Sequence, residues 1–388
     1  MDINRKTAYL TLIDVESRKA YSNLALNHQI IINKPSSQAF VREIVYGVLE
    51  HKLTIDYYLD QLVRNGIENL KAAELTILRM GVYQLRYMNS VPEYAAVNES
   101  VVLAKKYCRG KAGFINGVLR EYLNRKMQLR LPDRGEDEVR YLSVKYSYSP
   151  WIIELWLEHY DMEFVERLLE AGNETAPLTV RLNWLKVMKK DLIDSLQKKG
   201  FEVSEGNLCQ NALNVKGTGL LDSEMYKLGM FTPQDESSML VAEKLDLIDK
   251  DARRLGILNI ETRSWDATRV DSSMVQKADR VLVDAPCSGL GVIRRKPEIK
   301  YKEYNDDMEL LPKKQLAILS ASSAYVKPGG VLLYSTCTIN PRENEQVVDT
   351  FLRKNLSFRQ VERKLLLPDV DKTDGFFICL MKKDENLI

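Results

Sequence analysis

Apolar positions in the first third of the chain return every three or four residues. Leu75, Leu78, Val82 and Leu85 lie on one helical face at that spacing. Pro92 interrupts the pattern, and "EYAAVNESVVLAKKY" resumes it with Val97, Val101 and Ala104 on one side. "GFINGVLREYL" predicts another short amphipathic helix with Phe114, Val118 and Leu119 inward. No strand-like alternation competes, so residues 1–130 are expected to be all-helical. "LRLPDRGEDEVR" (129–140) is polar, contains Pro and Gly, and reads as a linker.

Residues 131–225 mix two periods. "SPWIIELWLEHYDMEFVERLLEAGN" predicts a helix that stops at Gly172-Asn173. "PLTVRLNWL" alternates like a strand, "KKDLIDSLQKKG" reads as a helix closed by Gly200, and "FEVSE" starts another strand. Together they predict a small α+β unit. From 226 to 388 short apolar strands alternate with helices. "NIETRSW" is followed by Asp266, and "ADRVLVDAPCSG" reads as a buried strand running into a polar turn. "KKQLAILSASSAYV" is a helix closed by "KPGG", and "VLLYSTCT" is a second buried strand. "FRQVERKLLL" and "GFFICLMKK" finish the chain. Such alternation predicts a mostly parallel sheet with helices on both faces.

Composition narrows the class. The 388 residues are 45% hydrophobic and 28% charged, as in soluble globular chains. No apolar run approaches the roughly 20 residues that span a bilayer. No secretion signal is visible at the N-terminus, so a cytoplasmic, single-chain protein without a membrane partner is expected. The five cysteines form no CxxC pair, and the three histidines lie far from them in sequence. Disulfide scaffold and metal site are therefore both poor readings. Net charge is only +2, yet residues 1–130 carry 19 Lys+Arg against 12 Asp+Glu. That surplus suits a nucleic-acid-facing module, and it equally suits a solvated helical surface.

Chemistry is concentrated at two strand ends. In open parallel sheets, ligands bind beyond the carboxyl ends of the strands. "VLVDAPCSG" carries Asp284 and Cys287 just past one strand, and "LLYSTCT" carries Cys337 past the other. A lone cysteine there is more often a small packing residue, such as Cys379 inside "FFICL". Two of them, one preceded by an aspartate, shift the balance toward a nucleophilic thiolate. No histidine follows His159, which weakens a Cys-His hydrolase and leaves a thiol hydrolase or redox enzyme as a weak third reading. A thiolate that adds to carbon 6 of cytosine needs no histidine. It makes carbon 5 nucleophilic, an acid such as Asp284 can hydrogen-bond the ring as charge builds, and a second thiol can assist release.

"DAPCSGLGV", "KPGGVLLYSTCT" and "PRENE" together resemble the RNA cytosine-C5 methyltransferases of the Nop2/Sun group, specifically the RsmB (Sun/Fmu) family. "FINGVLR" resembles the NusB-like domain, while "YSYSPWIIELWLEHYD" and "FTPQDESSMLVAE" are similar to the approach to the catalytic domain. The resemblance implies an α/β Rossmann-like methyltransferase domain (226–388). A small α+β linker domain (131–225) and an all-α NusB-like RNA-binding domain (1–130) would precede it. It implies S-adenosyl-L-methionine as methyl donor and a cytosine of small-subunit ribosomal RNA as target. It makes Cys337 the nucleophile and Cys287 the release-assisting thiol. Asp284 would face base and donor, and Asp266 would lie near the donor's adenine. The basic loop "GVIRRKPEIKYK" offers Arg294, Arg295, Lys296, Lys300 and Lys302 for phosphate contacts. A target base must be unpaired or flipped out to reach the thiol.

One part of the family pattern is absent. Its sheet begins with a strand, a Gly-rich turn that approaches the donor's methionine part, a helix, and a second strand ending in an acid. Here "SSMLVAE" is followed at once by "KLDLIDKDARRLG", which reads as the helix after that second strand. A βαβ stretch of roughly 30 or more residues is missing between Glu243 and Lys244. Neither Gly229 nor Gly256 sits on a strand-to-helix turn, and Asp246 and Asp249 lie in a helical pattern. The first βαβ is incomplete, and donor binding is the point on which two readings divide: an active methyltransferase, or an RNA-binding relative without the donor pocket.

Overall fold

The computed structural model describes residues 1–18, 20–244, 261 and 263–385. They divide into two compact units: residues 1–173 with 296–303, and residues 174–295 with 304–388. The first unit is helical. It contains α1 (Ile3–Arg18), α2 (Ser22–Asn33), α3 (Gln38–Glu50), α4 (Lys52–Asp60), α5 (Ala72–Tyr87), α6 (Glu93–Tyr107) and α7 (Ala112–Arg125). It also contains α8 (Glu138–Tyr146), α9 (Pro150–Leu157) and α10 (Met162–Ala171).

The apolar stripe expected on α5 widens into a wrap. Ile77, Leu78, Met80, Val82 and Tyr83 are all buried, while Leu75 and Leu85 are only half-buried. The helix is central to the core, so periodicity alone understates how many of its sides are covered. Its close approach to α3 requires Gly47, where an added Cβ would fall 1.9 Å from the Tyr83 ring. The single helix expected over 150–171 is two. Asp161 accepts a hydrogen bond from the Phe164 amide at 2.8 Å and starts α10 afresh.

The second unit holds two sheets. β1 (Thr179–Leu182), β2 (Glu202–Glu205), β3 (Ala212–Lys216) and β4 (Phe231–Pro233) pair antiparallel in the order β2-β3-β1-β4. Leu192 and Leu196 of α11 (Lys189–Lys198) pack on Val180, Leu213 and Phe231. A short α12 (Glu224–Lys227) precedes β4, and Gly229 turns the chain from α12 into that strand with φ 70°. α13 (Glu236–Lys244) leads to the second sheet.

That second sheet has the order β5-β6-β8-β7, from β5 (Ala278–Asp284), β6 (Val326–Thr336), β7 (Phe358–Leu366) and β8 (Phe376–Lys383). It is mixed, which corrects the expected mostly parallel sheet. β5 and β6 are parallel, with Asp284 opposite Ser335, but β8 runs antiparallel to both β6 and β7. The alternation ends after "FRQVERKLLL", because no helix separates the last two strands. α14 (Asp306–Ser323) and α15 (Glu345–Lys354) cover one face through Ile318, Leu319, Val348 and Phe351. Val241 of α13 packs with Leu333, Leu366 and Ile378 on the other.

β6 is buried as expected, but β5 is not. Among the described residues β5 pairs with β6 alone; Asp279 and Arg280 are exposed, and Val281 and Leu282 are half-buried. An apolar strand with one open side is unusual for a sheet edge. No strand is assigned at Glu261 or Arg263–Trp265; the rest of "NIETRSW", the helix expected over "KLDLIDKDARRLG" past Lys244, and Asp246, Asp249 and Gly256 fall outside the described residues.

Candidate active site

The two parallel strands β5 and β6 end side by side, and each releases a cysteine into the loop beyond it. Cys337 follows Thr336 directly, and Cys287 lies three residues after Asp284. Their Sγ atoms are 3.2 Å apart. Both thiols are part-exposed, whereas Cys108, Cys209 and Cys379 are buried. The loops are held in register by backbone. The Gly291 amide donates to the Cys337 carbonyl at 3.0 Å, and the Gly375 amide donates to Gly291 O at 2.8 Å. A Cβ on Gly291 would lie 1.8 Å from the Gly375 carbonyl oxygen, so this crossing requires glycine.

Electrostatics separates the groups. The proton shared with Cys337, then burial, then the negative charges of Cys337 and Glu343 push the Cys287 thiol well above its ordinary range. The Asp284 side chain keeps solvent access, yet desolvation by neighbouring protein raises its carboxyl above the usual aspartate range, against the Ser335 hydroxyl that donates to Oδ1 at 3.1 Å. A carboxyl so placed can donate to or accept from a ring as charge develops.

Beneath the thiols lies a polar core that sequence reasoning left without a role, although "NPRENE" directly after a buried strand was a visible signal. Glu343 is 1% exposed and accepts from the Ser288 amide at 2.9 Å, the Ser288 hydroxyl at 2.6 Å, Gln315 Nε2 at 2.9 Å and Asn340 Nδ2 at 3.0 Å. Asn344 Nδ2 donates to the Thr338 carbonyl at 2.9 Å.

The five basic residues expected to meet phosphate do not share one environment. The Arg294 side chain is buried and donates to Asp374 Oδ1 at 2.7 Å; Arg295 bridges Asp374 Oδ2 at 2.5 Å and Asp235 Oδ2 at 2.6 Å. Burial would raise Asp235, but the Ser237 hydroxyl and the Arg295 guanidinium hold its carboxyl below the usual range. Lys300 is fully buried in the first unit and donates to Asn173 Oδ1 and to the Glu50 carbonyl at 3.2 Å. Lys296 and Lys302 are exposed.

Among the described residues, no glycine-rich strand-to-helix turn occurs and β5 pairs with β6 alone. Asp266 is exposed and turned onto its own loop: Oδ1 accepts from the Thr268 amide at 3.0 Å and hydroxyl at 2.7 Å, and Oδ2 lies 3.4 Å from Arg269. That is an ordinary side-chain turn. No described helix is long and apolar enough to cross a membrane.

The chain matches the family model for 16S rRNA methyltransferase RsmB/F over residues 234–382. It also matches the NusB family over residues 2–124 and the RsmF/B-like ferredoxin-like domain over residues 148–220. It is 33% identical to the probable ribosomal RNA small subunit methyltransferase B of Bacillus subtilis, covering 98% of both chains. It is 28% identical to the corresponding protein of Synechocystis, covering 98% and 99%. The crystal structure of PH0851 shares its fold at a TM-score of 0.81, with 21% identity and 99% of each chain covered. The Bacillus alignment runs over 443 positions against 388 residues, so at least 55 of them (443 less 388) hold no residue of this chain. By identity over nearly its full length, the chain belongs to the RsmB family of ribosomal RNA small subunit methyltransferases.

Proposed function

We propose that this chain carries the pyrimidine-handling site of an RNA cytosine-C5 methyltransferase, with Cys337 as nucleophile. The observation that carries the reading is the thiol pair, 3.2 Å apart at the ends of adjacent parallel strands. The Cys337 thiolate forms a bond to carbon 6 of a cytosine in small-subunit ribosomal RNA. The C5–C6 π electrons move into the ring, and carbon 5 becomes an enamine nucleophile. Asp284 hydrogen-bonds the ring while this charge is present. Release reverses the flow: once carbon 5 has gained a proton from water or a methyl group, it gives up its original hydrogen as a proton, the double bond re-forms, and sulfur leaves with Cys287 placed to supply a proton to it. The exposed Lys296 and Lys302 and the helical unit provide phosphate contacts.

The family uses S-adenosyl-L-methionine as methyl donor, and no glycine-rich strand-to-helix turn occurs among the described residues. That observation favours a second reading, an RNA-binding relative that has lost methyl transfer. A donor-free assay tests the first. Addition at carbon 6 lets carbon 5 take a proton from water, so release of the adduct exchanges the C5 hydrogen. With RNA tritiated at cytosine C5, the full chain is expected to release tritium to water, and Cys337→Ala to release none. A folded chain that binds this RNA yet releases no tritium favours the second reading.

A further inference from the structure

We propose that Glu343 is the positioning residue that clasps the two cysteine-bearing loops together and decides which of the two thiols ionises. Its carboxylate lies where the loops meet. Ser288, the residue after Cys287, donates to it through both amide and hydroxyl, and the same hydroxyl lies 2.9 Å from Thr338 Oγ1, on the residue after Cys337. Asn340, further along the Cys337 loop, donates to Oε1. Gln315 of α14 donates to Oε2 and also to the Pro286 carbonyl, beside Cys287. Four neutral donors thus converge on two oxygens, two on each. This is a cradle for an acceptor-only group, since an amide nitrogen in place of either oxygen would face two donors.

The residue after Cys287 donates to the Glu343 carboxylate directly, whereas the residue after Cys337 reaches it only through the Ser288 hydroxyl. A negative charge so placed opposes a thiolate on Cys287, in addition to the shared proton and burial. Cys337 is then the member of the pair that carries the anion. That last step rests on the role proposed for Cys337 above. Other ionisable groups on the surrounding elements are Asp284 at the end of β5, Tyr334 on β6, and the Arg294, Arg295 and Asp374 cluster. The Tyr334 hydroxyl donates to the Glu343 carbonyl oxygen at 2.7 Å. None of them is itself substituted when Glu343 alone is changed.

The test is alkylation by iodoacetamide of the full chain, without RNA, from about pH 6 to about pH 10, with Cys287 and Cys337 read separately by peptide mass spectrometry. In the unmodified chain Cys337 is expected to label first. In Glu343→Gln, which keeps shape and removes charge, labelling of Cys287 at about pH 8 is expected to rise about tenfold, one unit of thiol pKa. In Ser288→Ala, which keeps the charge, it is expected to change less than about threefold, half a unit. Equal labelling of Cys287 in Glu343→Gln and the unmodified chain overturns the inference. So does an equal rise in Ser288→Ala, which would mean access and not charge. Should Glu343→Gln not fold, the unmodified chain still decides, because Cys287 labelling ahead of Cys337 overturns it. No tritium release with the expected labelling order sinks the proposed function and leaves this inference standing.

Discussion

Lys300 donates from Nζ to Oδ1 of Asn173 and stands 4.4 Å from the centre of the Tyr148 ring, fully buried in the helical unit. Burial lowers its ammonium to about 7, against the attraction of Glu50. Its neighbour in charge, His51, stacks on Tyr87 at 4.1 Å and is held down to about 4 by burial first, then by Lys300 and Arg86. Both folded values lie below the unfolded ones, so the unfolded chain binds more protons between them and stability rises with pH there. For His51 that window runs from about 4 to about 6.5. Acidification across it is expected to cost up to about 3 kcal/mol. Denaturant titrations at several pH values should show the slope, and His51→Phe, which keeps the stacked ring, should flatten it. An unchanged slope in that variant would refute the assignment.

Arg294 and the two exposed lysines of the same loop should behave oppositely. The Arg294 side chain is 4% exposed and is paired with Asp374, so Arg294→Ala leaves that buried carboxylate with Arg295 as its remaining guanidinium. A loss of about 3 kcal/mol is expected, read by urea unfolding. Lys296→Ala and Lys302→Ala should stay within about 0.5 kcal/mol of the parent. Each lysine variant should instead weaken RNA binding and reduce the slope of log affinity against log salt by about one. Fluorescence anisotropy across a salt series reads this, and unchanged slopes would remove both lysines from the RNA surface.

The contrast shows what a sequence can carry. Helices α5 to α7 and the strands around "VLVD" and "YSTCT" follow from local periodicity, which is a property of neighbours in the chain. The thiol pair was legible because strand ends in an α/β sheet gather on one side. The burial of Arg294 was not, because Asp235 and Asp374 lie 59 and 80 positions away and no local pattern brings them to it. Lys300 shows the same limit: "RRKPEIKYK" reads as a charged loop, yet Pro297 and Ile299 are also buried there. Glu343 was in plain view within a quoted motif and carried no role, because its donors come from three separate segments.

The 3.2 Å approach of Cys287 and Cys337 also makes them the thiols most readily joined. Diamide, which takes up two hydrogens, is expected to convert this pair to a disulfide and leave Cys108, Cys209 and Cys379 free, since those three are buried. Peptide mapping without reductant reads the product. Tritium release from RNA should stop on oxidation and return with dithiothreitol. Oxidation of any other pair ahead of this one would place the two sulfurs differently.

Donor binding is the measurement on which the two readings of the chain divide. A methyl donor as polar and flexible as S-adenosyl-L-methionine needs several convergent groups, because its charged ends must be desolvated and its rotors fixed. Here β5 pairs with β6 alone among the described residues, Asp266 spends its carboxylate on Thr268, and the glycine turn is missing from the sequence. Isothermal titration calorimetry is expected to show no saturable binding at millimolar donor, corresponding to less than about 4 kcal/mol of affinity. RNA affinity should be the same with and without donor, since binding to one site shifts the other only through a coupling free energy. A micromolar dissociation constant would mean that the chain holds the donor by another route. The chain would then transfer methyl groups despite its shortened sheet.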